Sequence, residues 1–355
     1  MLKEITILLT GAGAPGAPSI IKCLRKNSER EIRLVGVDMN EKSNGRRLVD
    51  VFYQVPAAKD ERYIDAVAEI CEKEKIDVIM PLVTRELLKY AQHREFFAER
   101  GIVLSVDDGE ILEIINNKAN LLVKMRELGM ETPAFQVVET ADELEKAVYE
   151  LGYPNNAVCV KGAEGNGSRG VRIIDPNKSL YDLFFNEKPT SMYISFRELM
   201  GVIREKESIP RMLVMEYLPG QEYGVDALCD RGRVLCMAGR YNYAVNSSIP
   251  QGCILEARDE PFAIASELIE KLGISGNINF DFIYDKNGKA RLIEINPRLS
   301  ATIASYAPAG VNFPYLRIKQ LLGEPLGELK LREGIMMQRR YSEVFFAPDG
   351  SEIPW

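Results

Sequence analysis

Histidine is nearly missing from this chain. Its 355 residues hold one, His93, and one tryptophan. A single histidine cannot build a histidine-rich zinc site, and it leaves no ready base for a Ser-His-Asp hydrolase. His93 itself sits in a charged, helix-like stretch and reads as a surface residue. The six cysteines, Cys23, Cys71, Cys159, Cys229, Cys236 and Cys253, form no C-x-x-C pair. Most lie in apolar runs and read as small buried hydrophobes, which fits a reducing cytoplasm. No apolar run approaches the ~20 residues that span a bilayer. The short run Ile5–Leu9 leads into a glycine turn, so it reads as a strand and not a signal peptide. Basic charge is also short. A net charge of −7 and a pI near 5.2 argue against a nucleic-acid partner. Chemistry here must depend on cations, positioning and backbone donors.

What is present is a large folded chain. Hydrophobic content of 46% and charged content of 27% are ordinary for a globular protein, and the length suits two or three domains. The first ~105 residues alternate strand and helix, the pattern of a parallel βαβ sheet. Helical character follows from Asp108 to about Leu128. Two strands, 157–161 and 170–174, flank a glycine-rich loop. Strands at 212–217 and 222–228 flank Pro219-Gly220, and a further strand is expected within 334–341.

One hairpin carries most of the chemistry. Asn279-Phe280-Asp281-Phe282 and Leu292-Ile293-Glu294-Ile295-Asn296-Pro297-Arg298 both alternate apolar and polar residues. Asn287-Gly288 between them signals a two-residue type I′ turn. That turn would set Lys286 opposite Lys289, Asp281 opposite Glu294, and Asn279 opposite Asn296. Glu294, Asn296 and Arg298 would then share a face with Asp281. Facing carboxylates repel unless a cation separates them. The oxygen set suits Mg²⁺, and the arginine suits a phosphate. A three-residue turn would flip the face.

Two glycine motifs stand upstream. Gly11, Gly13 and Gly16 match G-x-G-x-x-G between a strand and a helix, with Asp38 ending the next strand. This is the pattern of a dinucleotide site, and equally of a tight turn with another purpose. The second motif runs Lys161-Gly162-Ala163-Glu164-Gly165-Asn166-Gly167-Ser168-Arg169-Gly170. Its glycines, Gly165 and Gly167 among them, would let backbone N–H groups and Ser168 approach phosphate oxygens, with Lys161 as a point charge. It is not a Walker A loop, because no Gly-Lys-Ser/Thr occurs. Glu216-Tyr217-Leu218 ends a strand that could offer backbone groups to an adenine edge, and Glu222 a carboxylate to ribose. Lys118 alone reads as a helix-surface lysine. Arg240 ends an apolar strand, with a polar loop through Gly252 beyond it.

The order Lys118, Lys161 with its glycine loop, the Glu216–Glu222 hinge, Asp281, then Glu294-Ile295-Asn296-Pro297-Arg298 resembles the ATP-grasp superfamily. The nearest likeness is one synthetase unit of the carbamoyl-phosphate synthase large chain. The resemblance implies a mixed α/β and α+β fold. A Rossmann-like pre-ATP-grasp domain would occupy 1–108, an ATP-grasp small lobe with the lid 109–211, and a large lobe with the Mg-ATP site 212–330. The tail 331–355 is left without a role. By resemblance, Lys118 and Lys161 contact nucleotide phosphates, and residues 162–170 form the lid. Glu216, Tyr217 and Leu218 hold adenine, and Glu222 holds ribose. Asp281, Glu294 and Asn296 hold one or two Mg²⁺, with Mn²⁺ an alternative. Arg298 and Arg240, with Lys161, stabilise the transferred phosphoryl. The family reaction joins a small-molecule carboxylate to an amine through an acyl phosphate. A cytoplasmic protein with no nucleic-acid or membrane partner is expected, and dimers are common among relatives.

Two other readings stand beside this one. A dinucleotide-dependent oxidoreductase would use the first glycine motif. A non-catalytic nucleotide-binding protein would use the same fold.

Overall fold

The computed structural model describes residues 2–165, 170–188, 190–246, 249–349 and 351–354. The expected βαβ alternation is there. β1 (Ile5–Thr10), β2 (Ile32–Asp38), β3 (Val51–Gln54), β4 (Val78–Pro81) and β5 (Val103–Leu104) form a parallel sheet in the order β3-β2-β1-β4-β5. The inner strands are buried on both faces, which is why they read as continuous apolar runs. β3 escaped the sequence pattern because it is short, at the sheet edge and only half-buried. The helices α1 (Ala17–Arg25), α2 (Tyr63–Glu74), α3 (Thr84–Gln92) and α4 (Arg94–Ala98) make the crossovers.

The glycine turn after β1 is closed by its own chain. Asp38 Oδ2 accepts the Gly13 N–H at 2.8 Å, and Oδ1 accepts the Asn40 N–H at 2.9 Å. The 3₁₀ turn Asn44–Arg47 lies on this loop so closely that a Cβ on Gly45 would come within 1.9 Å of the Ala12 carbonyl oxygen. The carboxylate expected to read a ribose is therefore spent on the loop itself. The glycines serve close packing, and the dinucleotide reading loses its geometry.

The helical stretch after residue 108 is two helices, α5 (Gly109–Ile115) and α6 (Lys118–Glu127). Asn117 breaks it and caps α6, its side chain accepting the Ala119 and Asn120 N–H groups at 3.0 Å each. An antiparallel sheet of β6 (Phe135–Val138), β7 (Val158–Gly162), β8 (Arg172–Ile174) and β9 (Met212–Glu216) follows, in the order β6-β9-β7-β8. α7 (Ala141–Glu150) and α9 (Phe196–Ile203) each begin with a capping box and close its core; α8 (Leu180–Asn186) lies exposed between β8 and α9.

The third sheet holds β10 (Glu222–Asp230), β11 (Arg233–Asn246), β12 (Ile249–Leu255), β13 (Gly276–Tyr284), β14 (Ala290–Asn296) and β15 (Met336–Gln338). Its order is β14-β13-β10-β11-β12-β15. β11 runs on through Arg240 to Asn246 and pairs antiparallel with β12, so Arg240 is mid-strand and most of the expected polar loop is strand; Ser247 and Ser248 lie outside the described residues. One sheet face packs on α10 (Asp259–Leu272) and α6. The other joins the parallel sheet in one continuous core through Tyr306, Phe313 and Ile318 of the 3₁₀ segment Ile303–Ala309 and α11 (Phe313–Leu321). Beyond β15 the tail forms a short hairpin of β16 (Phe345–Phe346) and β17 (Glu352–Ile353). No helix among the described residues is long and apolar enough to cross a membrane. The six thiols are free, and burial pushes Cys71 up to about 12 and Cys23 and Cys236 to about 11, as inert core thiols require.

Glu86 is buried at the carboxyl end of the parallel sheet, where Thr10 Oγ1 donates to it. Burial raises its pKa from 4.5 to about 7. The native state thus keeps a proton that the unfolded chain releases, and stability falls as pH rises from about 4.5 to about 7. Glu86→Gln is expected to shrink the loss of Tm between pH 5 and pH 8. An unchanged loss would place the pH dependence elsewhere.

Candidate active site

The hairpin register forms as expected at the residues that matter, by a different route. Asn279 pairs with Asn296 and Asp281 with Glu294. The turn is not type I′, however. Gly288 has φ +77°, but Asn287 is not among the left-handed residues. Asp285 N–H donates to Lys289 O at 2.8 Å, closing a three-residue turn, and Asp285 Oδ1 accepts the Asn287 and Lys289 N–H groups. Lys286 therefore does not face Lys289. Such a turn alone would flip the face. A β-bulge between Asp281 and Phe282 adds Ile293 to β14 and restores it. Leu292 and Ile295 both point into the core as a result, and Glu294 and Asn296 point to the polar face.

The bulge also supplies a contact. The Ile293 carbonyl accepts the Lys161 ammonium at 3.2 Å, reaching from β7. Lys161 is buried, and burial lowers its pKa. Lys118, at the first turn of α6, is no surface lysine. Its Nζ pairs with Glu294 Oε2 at 3.0 Å and donates to Gly165 O at 2.7 Å. Its backbone N–H donates to Ala163 O at 2.8 Å, tying the base of the glycine-rich loop to α6. Gly167 and Ser168 lie outside the described residues.

Burial acts on both carboxylates, with opposite outcomes. It raises Asp281, and the facing Glu294 adds to this, bringing it to about 7. For Glu294 the cations Lys118 and Lys161 outweigh burial and hold it below the usual range. Asn296 Nδ2 donates to Asp281 at 3.0 Å and to Glu294 at 3.3 Å. Its Oδ1 accepts from Arg298 at 3.1 Å. Asp281 and Glu294 offer the hard oxygens a divalent cation takes. Asn296 turns its nitrogen toward them, so it would have to rotate its amide to ligate. Among the described residues no set of three His, Cys, Asp or Glu side chains surrounds one point, so any ion here would rest on the two carboxylates and this amide.

Arg240 is almost wholly buried, and its guanidinium lies across Gly224, where a Cβ would sit 2.7 Å from Cζ. Its Nη1 donates to Asp226 Oδ2 and, at 3.1 Å, to Tyr306 OH. Tyr306 OH donates to the same Asp226 oxygen at 3.1 Å. Burial disfavours the Arg240 charge, but Asp226, Tyr306 and Asp281 outweigh it and raise its pKa. Asp226 and Tyr306 were not legible as site residues. Asp226 does share the alternation of β10, yet nothing local says that Tyr306 returns to meet it.

The hinge residues are placed less directly. Glu216 is occupied: its N–H donates to Ala134 O, and its carboxylate accepts the Ala134 N–H, both at 2.9 Å. Tyr217 is half-buried, and Leu218 packs in the core. Glu222, exposed at the start of β10, lies within electrostatic reach of Arg240 and Glu294.

Residues 208–341 match the family model described as ATP-grasp in the biosynthetic pathway with Ter operon, and residues 7–105 match the PylC-like N-terminal domain. The C-terminal half thus carries a match to an ATP-grasp family model and the N-terminal sheet a match to the PylC-like N-terminal domain. The carbamoyl phosphate synthase large chain of Gemmatimonas aurantiaca is 27% identical over 286 residues, covering 77% of this chain and 24% of that one. The chain spans about a quarter of the length of such curated relatives. Solved structures share the fold. N5-carboxyaminoimidazole synthetase from Staphylococcus aureus complexed with ADP aligns with TM-score 0.67 at 19% identity, over 93% of this chain and 81% of that one. A biotin carboxylase–β,γ-ATP complex from Campylobacter jejuni gives TM-score 0.67 at 20%, over 92% and 73%.

Asp226→Asn leaves Arg240 buried without its counter-charge. A loss of about 3–5 kcal/mol in urea unfolding is expected. A loss below about 1 kcal/mol would mean that Arg240 is held by other groups.

Proposed function

We propose that this chain is an ATP-dependent ligase that activates a carboxylate as an acyl phosphate and joins it to an amine or ammonia. The observation that carries the reading is the half-buried Asp281–Glu294 pair, bordered by Lys118 and Lys161 on one side and by Arg298 and Arg240 on the other. Cations meeting paired, half-buried carboxylates suit a metal-complexed polyphosphate better than any neutral ligand.

Phosphoryl transfer asks for position and charge neutralisation and for little covalent work from the protein. Mg²⁺ held by Asp281 and Glu294 would neutralise charge on the nucleotide phosphates. Lys161 and Lys118 reach the same place from β7 and α6 and would hold the phosphates. The Glu216–Leu218 backbone would meet adenine, and Glu222 the ribose. A carboxylate oxygen of the acid attacks the γ-phosphorus, and the bond to the ADP oxygen breaks. The amine nitrogen then attacks the acyl carbon, loses a proton, and phosphate departs with the C–O electron pair. Arg298 and Arg240 would stabilise the phosphoryl group throughout. Asp226 keeps Arg240 charged and aimed.

ADP release from Mg-ATP with pooled carboxylates, each with pooled amines and ammonia, tests the reading. Release confined to one pair of pools is expected; nucleotide binding without release in any condition would leave a non-catalytic nucleotide-binding protein. Glu294→Ala is expected to cut turnover at least 10³-fold with the fold intact by circular dichroism. Near-normal release would remove Glu294 from the site. Lys161→Ala is expected to weaken ATP binding tenfold or more by calorimetry, and unchanged affinity would remove that lysine from the pocket.

A further inference from the structure

Arg339 stands beside the site without a carboxylate partner among the described residues. Arg339 follows β15 at the edge of the third sheet, in the tail to which the motifs assigned no role. Met337 pairs with Cys253, and Cys253 with Asn242, so strand alternation puts Arg339 on the same face as Asn242 and Arg240. Its guanidinium is held by two backbone carbonyls. Nε donates to Pro250 O at 2.9 Å, and Nη2 to Ala301 O at 2.5 Å, three residues beyond Arg298. Arg240 has Asp226, and Arg298 lies in the field of Asp281 and Glu294. Among the described residues Arg339 makes no ion pair. It is half-buried, and Arg240 lies close enough to repel it.

Unsatisfied polar atoms neighbour both arginines, Asn242 two residues along β11 from Arg240, and Ser300 and Thr302 on either side of the Ala301 whose carbonyl Arg339 holds. Asn242 Oδ1, Ser300 Oγ and Thr302 Oγ1 are buried without a hydrogen-bond partner. Such atoms are nearly always paired in native proteins, so a set of three on one side of a site points to a ligand that completes them. They come from β11 and from the segment just after Arg298. Arg339 leaves β15, two strands or roughly 10 Å from β11. Of these two neighbouring cations only Arg240 has a counter-charge within the protein, which fits an acid that brings a further anionic group for Arg339.

We propose that the acid activated by this protein carries a second anionic group, a carboxylate or a phosphate, and that Arg339 is the specificity-determining residue that holds it. The inference rests on the ligase reading for its reaction, but the anion site can be tested without turnover. Asn242, Ser300 and Thr302 would take the polar groups between the two anions.

The binding arm uses the full chain with Mg-ADP, and succinate or inorganic phosphate as probes, read by thermal shift. Wild type is expected to gain several degrees with at least one probe, and which probe acts separates carboxylate from phosphate. Arg339→Gln is expected to lose that gain, and Arg339→Lys, which keeps the charge, to recover part of it. Equal gains in wild type and Arg339→Gln, or none in either, would overturn the proposal. The lysine variant also controls for a tail loosened by the glutamine. The turnover arm compares acids with and without a second anionic group. Arg339→Gln is expected to raise KM for the doubly charged acid at least tenfold and leave KM for ATP unchanged. Equal use of singly charged acids would overturn the proposal as well. A lost thermal shift together with no ADP release from any acid would uphold Arg339 and sink the ligase reading, so the two failures are distinct.

Discussion

Two half-buried carboxylates facing each other are the constraint around which this structure is arranged. Like charges a few ångströms apart inside a protein repel by on the order of 4 kcal/mol. Asp281 and Glu294 meet this cost with cations from three directions. Lys118 comes from α6, Lys161 from β7, and Arg298 from the end of their own hairpin. Asn296 donates to both and stands between them. Each cation sits on a separate element of the fold. The site is therefore assembled where two sheets meet: the small sheet brings Lys161, and the third sheet brings the acids.

The bulge at Ile293 ties backbone geometry to this electrostatics. A three-residue turn displaces the β14 register by one, and the bulge displaces it back. The compensation keeps Phe280, Phe282 and Ile295 in the core and the acids on the polar face. It also leaves a carbonyl out of the ladder, which the Lys161 ammonium takes up. A buried lysine needs an acceptor, and an unpaired buried carbonyl needs a donor. Here each meets the need of the other.

The parallel sheet and the third sheet share one apolar core, so the N-terminal part is no loose appendage. Buried ties such as Arg30 to Tyr315 and Asn312 to Cys23 O cross the same boundary. The glycine turn after β1 is packed by its own 44–47 segment, which explains a nucleotide-like motif without a nucleotide-like cradle.

Local periodicity was enough to read the parallel sheet apart from β3, the strands that flank the glycine-rich loop, and the facing of Asp281 with Glu294 and of Asn279 with Asn296. Side-chain alternation has a period of two, so residues of one parity declare their face. Lys161 and its glycine loop were legible for a similar reason, since their chemistry is written in adjacent residues. Tertiary structure alone decided the rest. Lys118 looks like any helix-surface lysine until Asn117 starts a new helix and turns it onto Glu294. Asp226 and Tyr306 are 80 residues apart, and only the packing of the 3₁₀ segment on the third sheet makes them a clamp on Arg240. Arg339 gains meaning from the edge pairing of β15 with β12. The route by which the hairpin keeps its register was also beyond sequence, because a turn and a bulge that cancel leave the same alternation at Asp281 and Glu294 as no irregularity at all.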